Sequence, residues 1–352
     1  MNLRDRMIIE DYRKNKNSFV RLGELVHSIL KDITKDAGIT PMEIQHRVKA
    51  EQSLIGKLYR SDGWYKSFDD LMDILGARVI LYFADEVEII GKKVEEAFQV
   101  DYDYSSNKGD LLSPDAFGYL SLHYICTLRE DMGYPQDLLG RKFEIQIRTC
   151  LQHVWSDIDH DIAYKSQFGV PREIKRGFSR LAGLLELADS EFVRLRDAMN
   201  DYTADIHEKI VENKADNVGI DMISLNEYMR CNKEMRKFIS ALAGIENSEI
   251  SEVNPEAYIE QLMFLGIDTL GGLQNMLETC GKSAYEMAKK TLEGTELDIL
   301  SSNVALRFLC RAYLIKNDYT SDKMEEFFML SVGDKSRAEK QAKRLLDIKN
   351  KM

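Results

Sequence analysis

Two different periodicities meet at Thr149-Cys150, and the junction limits what this chain can become. Upstream, Phe143, Ile145 and Ile147 alternate with Glu144, Gln146 and Arg148, the two-residue period of a strand with one buried face. Downstream, Leu151, Val154, Trp155, Ile158 and Ile162 recur at three- and four-residue steps, the period of an amphipathic helix. The same alternation of element types occurs earlier. ARVILYF (77–83) reads as a buried strand entered by Arg78, and 85–98 fits a helix with Val87, Ile90, Val94 and Phe98 inward. Strand and helix in succession point to an α/β layer arrangement. The polar face of the 143–149 strand carries a carboxylate, an amide and a guanidinium, which marks a charged site more than a scaffold.

The remaining segments fill in that arrangement. Residues 3–35 read as helix with a weak break near Asn15–Ser18, and Phe19, Leu22, Leu25, Val26, Ile29 and Ile33 form its apolar stripe. In EIQHRVKA (43–50), Gln45, Arg47 and Lys49 share one strand face, opposite Ile44, His46 and Val48. A short helix follows, with Ser53 and Lys57 one turn apart. Ser67-Phe68-Asp69-Asp70 is a helix start, and Gly76 reads as its stop, which places Asp73 in the last turn. Residues 101–118 are polar and read as a long loop, of a kind that is often functional. YLSLHYICTL (119–128) is another alternating strand with Tyr119, Ser121 and His123 on one face. The expected fold is α/β (α+β), a mixed sheet of about five strands flanked by helices.

Residues 171–213 read as helix, with Leu181, Leu184, Leu185, Ala188, Phe192 and Leu195 at core spacing. A weak break at 216–219 divides a first domain, 1–215, from a second, 216–352. The second is expected to be all-α, with breaks at Gly244, Asn254-Pro255, Gly271-Gly272 and Gly294 and a basic final helix from Lys335. It reads as a regulatory or interaction domain, through which the chain would meet a second copy or a protein partner.

The net charge of −11 argues against a protein that coats duplex nucleic acid, although a local basic pocket for phosphates is compatible with it. The five cysteines form no CxxC or Cys/His cluster, the usage of a reducing compartment without disulfides or structural zinc. The N-terminus lacks the apolar stretch of a signal peptide, and no apolar run reaches transmembrane length. The expectation is a cytoplasmic protein.

Collected together, the polar strand faces hold Arg47, Lys49, Arg78, His123, Glu144, Gln146 and Arg148, with Ser53, Lys57 and Asp73 on adjoining segments. Several cations, two carboxylates and an aromatic edge at Tyr119 suit a polyphosphate ligand with a divalent cation. Lys and Arg neutralise phosphate, and Asp73 and Glu144 are hard oxygen ligands for Mg²⁺. There is no GxxxxGK[ST] loop and no kinase glycine-rich set.

RVK with Ser53 and Lys57, then DILGARV, then GYLSLH, then FEIQIRT…HVW…H…YK, in this order, resembles the synthetase domain of the RelA/SpoT alarmone family over about residues 20–200. The resemblance implies a nucleotidyltransferase-like synthetase domain of the small, synthetase-only type. It implies Mg²⁺-dependent transfer of pyrophosphate from ATP to the 3′-hydroxyl of a guanine nucleotide, GDP or GTP, with AMP leaving. On that basis Arg47, Lys49, Ser53, Lys57 and Arg78 hold the ATP phosphates. Asp73 and Glu144 are catalytic metal carboxylates. Tyr119 stacks on the acceptor base, His123 contacts the acceptor phosphates, and Gln146 and Arg148 give support.

The sequence departs from the family in one loop. Where the guanosine alarmone synthetases read Lys-Pro-Asn before GY, this chain has Asp115-Ala116-Phe117. The amide that would read guanine and the nearby lysine are both missing. Toxin-like branches that pyrophosphorylate the 3′ end of tRNA, and branches that make adenosine alarmones, are therefore alternatives for the acceptor. A non-catalytic nucleotide-sensing or interaction protein is a further alternative, disfavoured by the retention of both carboxylates.

Overall fold

A computed structural model of the chain describes residues 3–61, 64–107, 121–165 and 171–349. By its internal contacts the chain forms two compact units, Met1–Arg196 and Asp197–Met352. The division falls within the helix Arg172–Val211, whereas the sequence places it at 215/216.

The first unit is built on a mixed five-stranded sheet. It opens with helix α1 (Leu3–Asp36), which continues through the Asn15–Ser18 stretch where a break is expected. Ile8, Tyr12, Phe19, Leu22, Val26, Leu30 and Ile33 recur at helical spacing and are all buried. Then come β1 (Glu43–Val48), α2 (Glu51–Arg60), β2 (Leu75–Leu81), α3 (Ala84–Ala97), β3 (Phe98–Asn107), β4 (Leu122–Leu128), β5 (Phe143–Thr149) and α4 (Cys150–Lys165). The strand order is β1-β2-β5-β4-β3. β2 and β5 run parallel, and the other neighbours are antiparallel.

The two faces of the sheet differ in chemistry. Ala77, Val79 and Leu81 of β2, Phe143, Ile145 and Ile147 of β5, and Tyr124 and Cys126 of β4 share one buried cluster with α1 and α3. The approach on this side is close: a side chain at Gly23 of α1 would lie 2.7 Å from His46, and one at Gly91 of α3 would lie 2.6 Å from Leu122. Alternation sends Arg78, Glu144 and Gln146 to the opposite face. At the far end of that face α4 lies against β2 and β5, over the buried Ile80 and Arg148.

Two expectations for this unit are overturned. Gly76 does not stop a helix. Residues 68–70 make only a single 3₁₀ turn, closed by Asp70 accepting from the backbone N–H groups of Lys66 and Ser67. Leu71, Ile74 and Leu75 are buried, and the Lys49 N–H already bonds the Ile74 carbonyl at 2.8 Å. The β1–β2 ladder thus claims this backbone before a helix can grow, and Gly76 lies inside β2. The first part of the expected 101–118 loop is strand β3, with a register shift between Asp101 and Ser106 bridged by Ser105.

Helix α5 (Arg172–Val211) follows. Leu181, Leu184, Phe192 and Leu195, expected in the core, are exposed, whereas Ala182 and Asp189 are buried. The periodicity is real, but the core lies on a different side of the helix.

The second unit contains α6 (Met222–Cys231), α7 (Lys233–Ala243), β6 (Glu249–Ser251), α8 (Ile259–Phe264), α9 (Leu270–Leu292), β7 (Ile299–Ser301), α10 (Val304–Lys316), α11 (Ser321–Val332) and α12 (Lys335–Lys349). It is helical as expected, with one short parallel pair, β6/β7, added. Asp221, Asn232, Thr269 and Thr320 cap helix starts by accepting from backbone N–H groups. Leu225, Leu273, Phe308, Leu309 and Phe327 lie in its core. Among the described residues no helix is long and apolar enough to cross a membrane.

Candidate functional site

The polar face of the sheet is organised in two rows. Strand pairing aligns Gln45, Arg78, Gln146 and His123 in one, and Arg47, Gly76, Glu144 and Ile125 in the next. Gly76 therefore leaves a gap between a guanidinium and a carboxylate, and a Cβ built there meets nothing within 4 Å. The gap opens into a cavity of ≈ 220 Å³ lined by Gln45, His46, Arg47, Lys49, Asp73, Gly76, Ala77, Arg78, Glu144 and Gln146.

Each carboxylate is held by two partners. Lys49 Nζ donates to Asp73 Oδ2 at 2.5 Å, and Lys57 Nζ to Oδ1 at 2.7 Å. Lys57 also lies 5.1 Å from the centre of the Tyr65 ring. Burial pushes the Asp73 carboxyl up, but the two ammonium groups outweigh it and hold it below the usual carboxylate range. Glu144 lies on β5 with His123 Nδ1 2.8 Å from Oε1, and Gln146 Nε2 donates to Oε2 at 2.9 Å. Burial raises its carboxyl; His123 and Gln146 bring it below the ordinary value, against an opposing push from Asp73. Two ionised carboxylates thus face one cavity that also holds Arg47, Lys49 and Arg78. Arg47 has no ion pair among the described residues.

This donor set fits a hard divalent cation such as Mg²⁺. All four carboxylate oxygens are ionised acceptors, and each keeps a lone pair beyond the contact it now makes. The ammonium groups on Asp73 already show that the position calls for positive charge.

Of the residues singled out from sequence, Arg47, Lys49, Asp73, Arg78, Glu144 and Gln146 line the cavity, and Lys57 joins them through Asp73. Three do not line it. Ser53 is exposed on the first turn of α2 and makes no bond to the cluster. His123 is turned onto Glu144. Arg148, only 1% exposed, lies beneath α4, where Asp157 approaches it at 3.9 Å. Tyr119 and Asp115-Ala116-Phe117 lie outside the described residues. Sequence reasoning passed over Gln45, Gly76 and Tyr65. Gln45 was visible as the strand neighbour of Arg47, whereas only the β1–β2–β5 register shows Gly76 as a floor.

Residues 46–168 match the family model described as a region found in RelA / SpoT proteins. Two proteins of Bacillus subtilis (strain 168) are similar. GTP pyrophosphokinase YjbM is 26% identical over 162 residues, covering 45% of this chain and 73% of the relative. GTP pyrophosphokinase YwaC is 26% identical over 167 residues, covering 45% and 76%. Among solved structures, small alarmone synthetase 1 from Bacillus subtilis aligns with a TM-score of 0.46 at 21% identity, over 55% of this chain and 99% of that one.

Proposed function

We propose that this chain, whose residues 46–168 match the model of the region found in RelA / SpoT proteins, transfers pyrophosphate from ATP to the 3′-hydroxyl of a guanine nucleotide, making a (p)ppGpp-type alarmone. The observation that carries the proposal is the pairing of two ionised carboxylates, Asp73 and Glu144, with Arg47, Lys49 and Arg78 around one cavity. The GTP pyrophosphokinases similar to this chain support a guanine nucleotide such as GTP as acceptor.

In the reaction the acceptor 3′-oxygen attacks the β-phosphorus of ATP, and the bond from that phosphorus to the α–β bridging oxygen breaks. AMP leaves with that oxygen. Such transfers need positioning and charge stabilisation far more than covalent help from protein. Arg47, Lys49 and Arg78 neutralise the phosphates, and Lys49 and Lys57 keep Asp73 ionised. Glu144, fixed through both its oxygens by His123 and Gln146, receives the proton of the attacking hydroxyl. Asp73 and Glu144 would hold Mg²⁺, which when bound adds positive charge where the phosphates build up negative charge. In this reading His123 positions Glu144, Arg148 supports β5 from beneath α4, and Tyr119 stacks on the acceptor base.

Asp115-Ala116-Phe117 favours a second acceptor, the 3′ end of tRNA. Terminally labelled ATP with Mg²⁺, offered GDP, GTP, ATP and tRNA in parallel and resolved by thin-layer separation, tests both readings. AMP release with label on GDP or GTP is expected, and it should vanish in Glu144→Gln. Label on tRNA alone transfers the assignment to the second reading. No labelled product with any acceptor refutes both.

A further inference from the structure

Helix α10 carries Arg307 and Arg311 one turn apart. Both line a cavity of ≈ 300 Å³ within the second unit, shared with Tyr258, Gln261, Ser331 and Gln341. Neither arginine has a carboxylate partner among the described residues. Arg311 donates to the Gln341 amide oxygen at 3.1 Å and lies 5.6 Å from the Phe328 ring centre, and Arg307 lies 5.7 Å from that of Phe308. Elsewhere Arg21 pairs with Asp137, Arg129 with Asp131, Arg196 with Asp85 and Arg236 with Glu252.

Two further observations set the pocket apart from a solvated basic face. Gln261 lines the cavity with most of its surface buried, and its side-chain amide, which keeps access to the cavity, makes no hydrogen bond to another described residue. Arg311 is half-buried, and burial, reinforced by Arg307, pushes its pKa down to about 10. It is therefore still a cation at neutral pH, held where a cation without a counter-charge is costly.

We propose that this pocket binds a phosphate-bearing anion, either inorganic phosphate or the terminal phosphate of a nucleotide. Two guanidinium groups, the Tyr258 hydroxyl and the Gln261 amide can all donate, whereas the Ser331 hydroxyl already donates to the Phe328 carbonyl, so the site calls for a ligand that mainly accepts. A tetrahedral oxyanion offers acceptors in more directions than a carboxylate does, and guanidinium forks suit its geometry. The proposal does not depend on the activity assigned to the first unit, because every residue it uses lies in the second.

Hydrogen exchange read by mass spectrometry on the full chain tests it, with millimolar inorganic phosphate in one arm and ATP in the other. Slower exchange in peptides from α8, α10 and α11 is expected. Protection by inorganic phosphate identifies a phosphate site, and protection by ATP alone identifies a nucleotide's terminal phosphate. Arg307→Gln and Arg311→Gln should each raise the half-saturating concentration roughly tenfold, the loss of one charged hydrogen bond. Arg307 is exposed, so Arg307→Gln retains the fold, which an unchanged melting temperature verifies. The proposal is overturned if neither ligand protects these helices, if protection ignores both substitutions, or if acetate at equal ionic strength protects equally.

Discussion

Gly76 offers a way to separate the fold from the chemistry. It lies inside β2 with ordinary extended backbone, and a Cβ there meets nothing within 4 Å. Glycine within a strand destabilises by roughly 0.5–1 kcal/mol relative to alanine, and valine suits a strand at least as well. Gly76→Ala and Gly76→Val should therefore raise the melting temperature of this unit by about 1–4 °C. Between Arg47 and Glu144, however, the new side chain occupies the floor of a cavity of only ≈ 220 Å³. Displacing a bound polyphosphate by ~1 Å costs on the order of 10²-fold in rate. Kinetics of AMP release from ATP, measured beside thermal melts, should show kcat/KM falling about 10²-fold for valine and less for alanine. If Gly76→Val melts higher but keeps kcat/KM within about twofold, the cavity floor is not where the phosphates lie. If both variants melt well below the parent, the open space above Gly76 has been misjudged.

Three further perturbations have signs fixed by the geometry. Asp73→Asn leaves Lys49 and Lys57 without their shared anion in a half-buried position, and should cost about 1–2 kcal/mol at pH 7 in urea melts. Because the folded-state pKa of Asp73 lies below its unfolded value, this contribution is present above the unfolded pKa and is lost as pH falls through the folded one. A deficit of the same size well below that folded-state pKa would contradict the assignment. His123→Ala removes one of the partners that hold Glu144 ionised, so the acid limb of the pH–kcat/KM profile should move to higher pH; an unmoved limb detaches His123 from Glu144. Asp189, buried on α5 with its Oδ2 accepting from Thr149 at 2.7 Å, has its carboxyl raised by burial. Its ionisation therefore lowers stability as pH rises from the unfolded pKa through the folded one. Asp189→Asn keeps the Thr149 bond without the charge and should therefore remove this fall in stability with pH, and an unchanged fall in that window would reject this.

The central strands were legible because alternation in 143–149 and the apolar run 77–83 report burial directly, and the charged face of β5 followed from the same pattern. The edge strand β3 was not, because its outer half presents Tyr102, Tyr104 and polar residues to solvent and resembles a loop. Gly76 was misread for a related reason. Glycine signals a break in local sequence, but this one lies opposite Arg47 on one side and Glu144 on the other, and register is a long-range property. The apolar stripe of α5 shows the limit of periodicity, which identifies a face but not what covers it. Arg148 matched the site's pattern by parity yet lies beneath α4, since alternation sets which face a side chain takes and not how far along the strand the cavity extends. Asp73 and Lys57 were assigned to one cluster although the helix expected to carry Asp73 does not form. Their chemistry was visible where their local structure was not.

The strand order has a consequence for biosynthesis. β5 is the last of the five strands in sequence, yet it lies between β2 and β4 and joins β1-β2 to β4-β3. A nascent chain that has not yet reached Phe143 can make only two separate antiparallel pairs, each with an apolar edge unpaired, and such edges invite association with other chains. When β5 enters, it closes the sheet and brings Glu144 into the cavity beside Asp73. The ribosome must therefore deliver nearly half of the chain before both carboxylates exist in one place, and the step that completes the first unit's sheet is also the step that assembles this cavity.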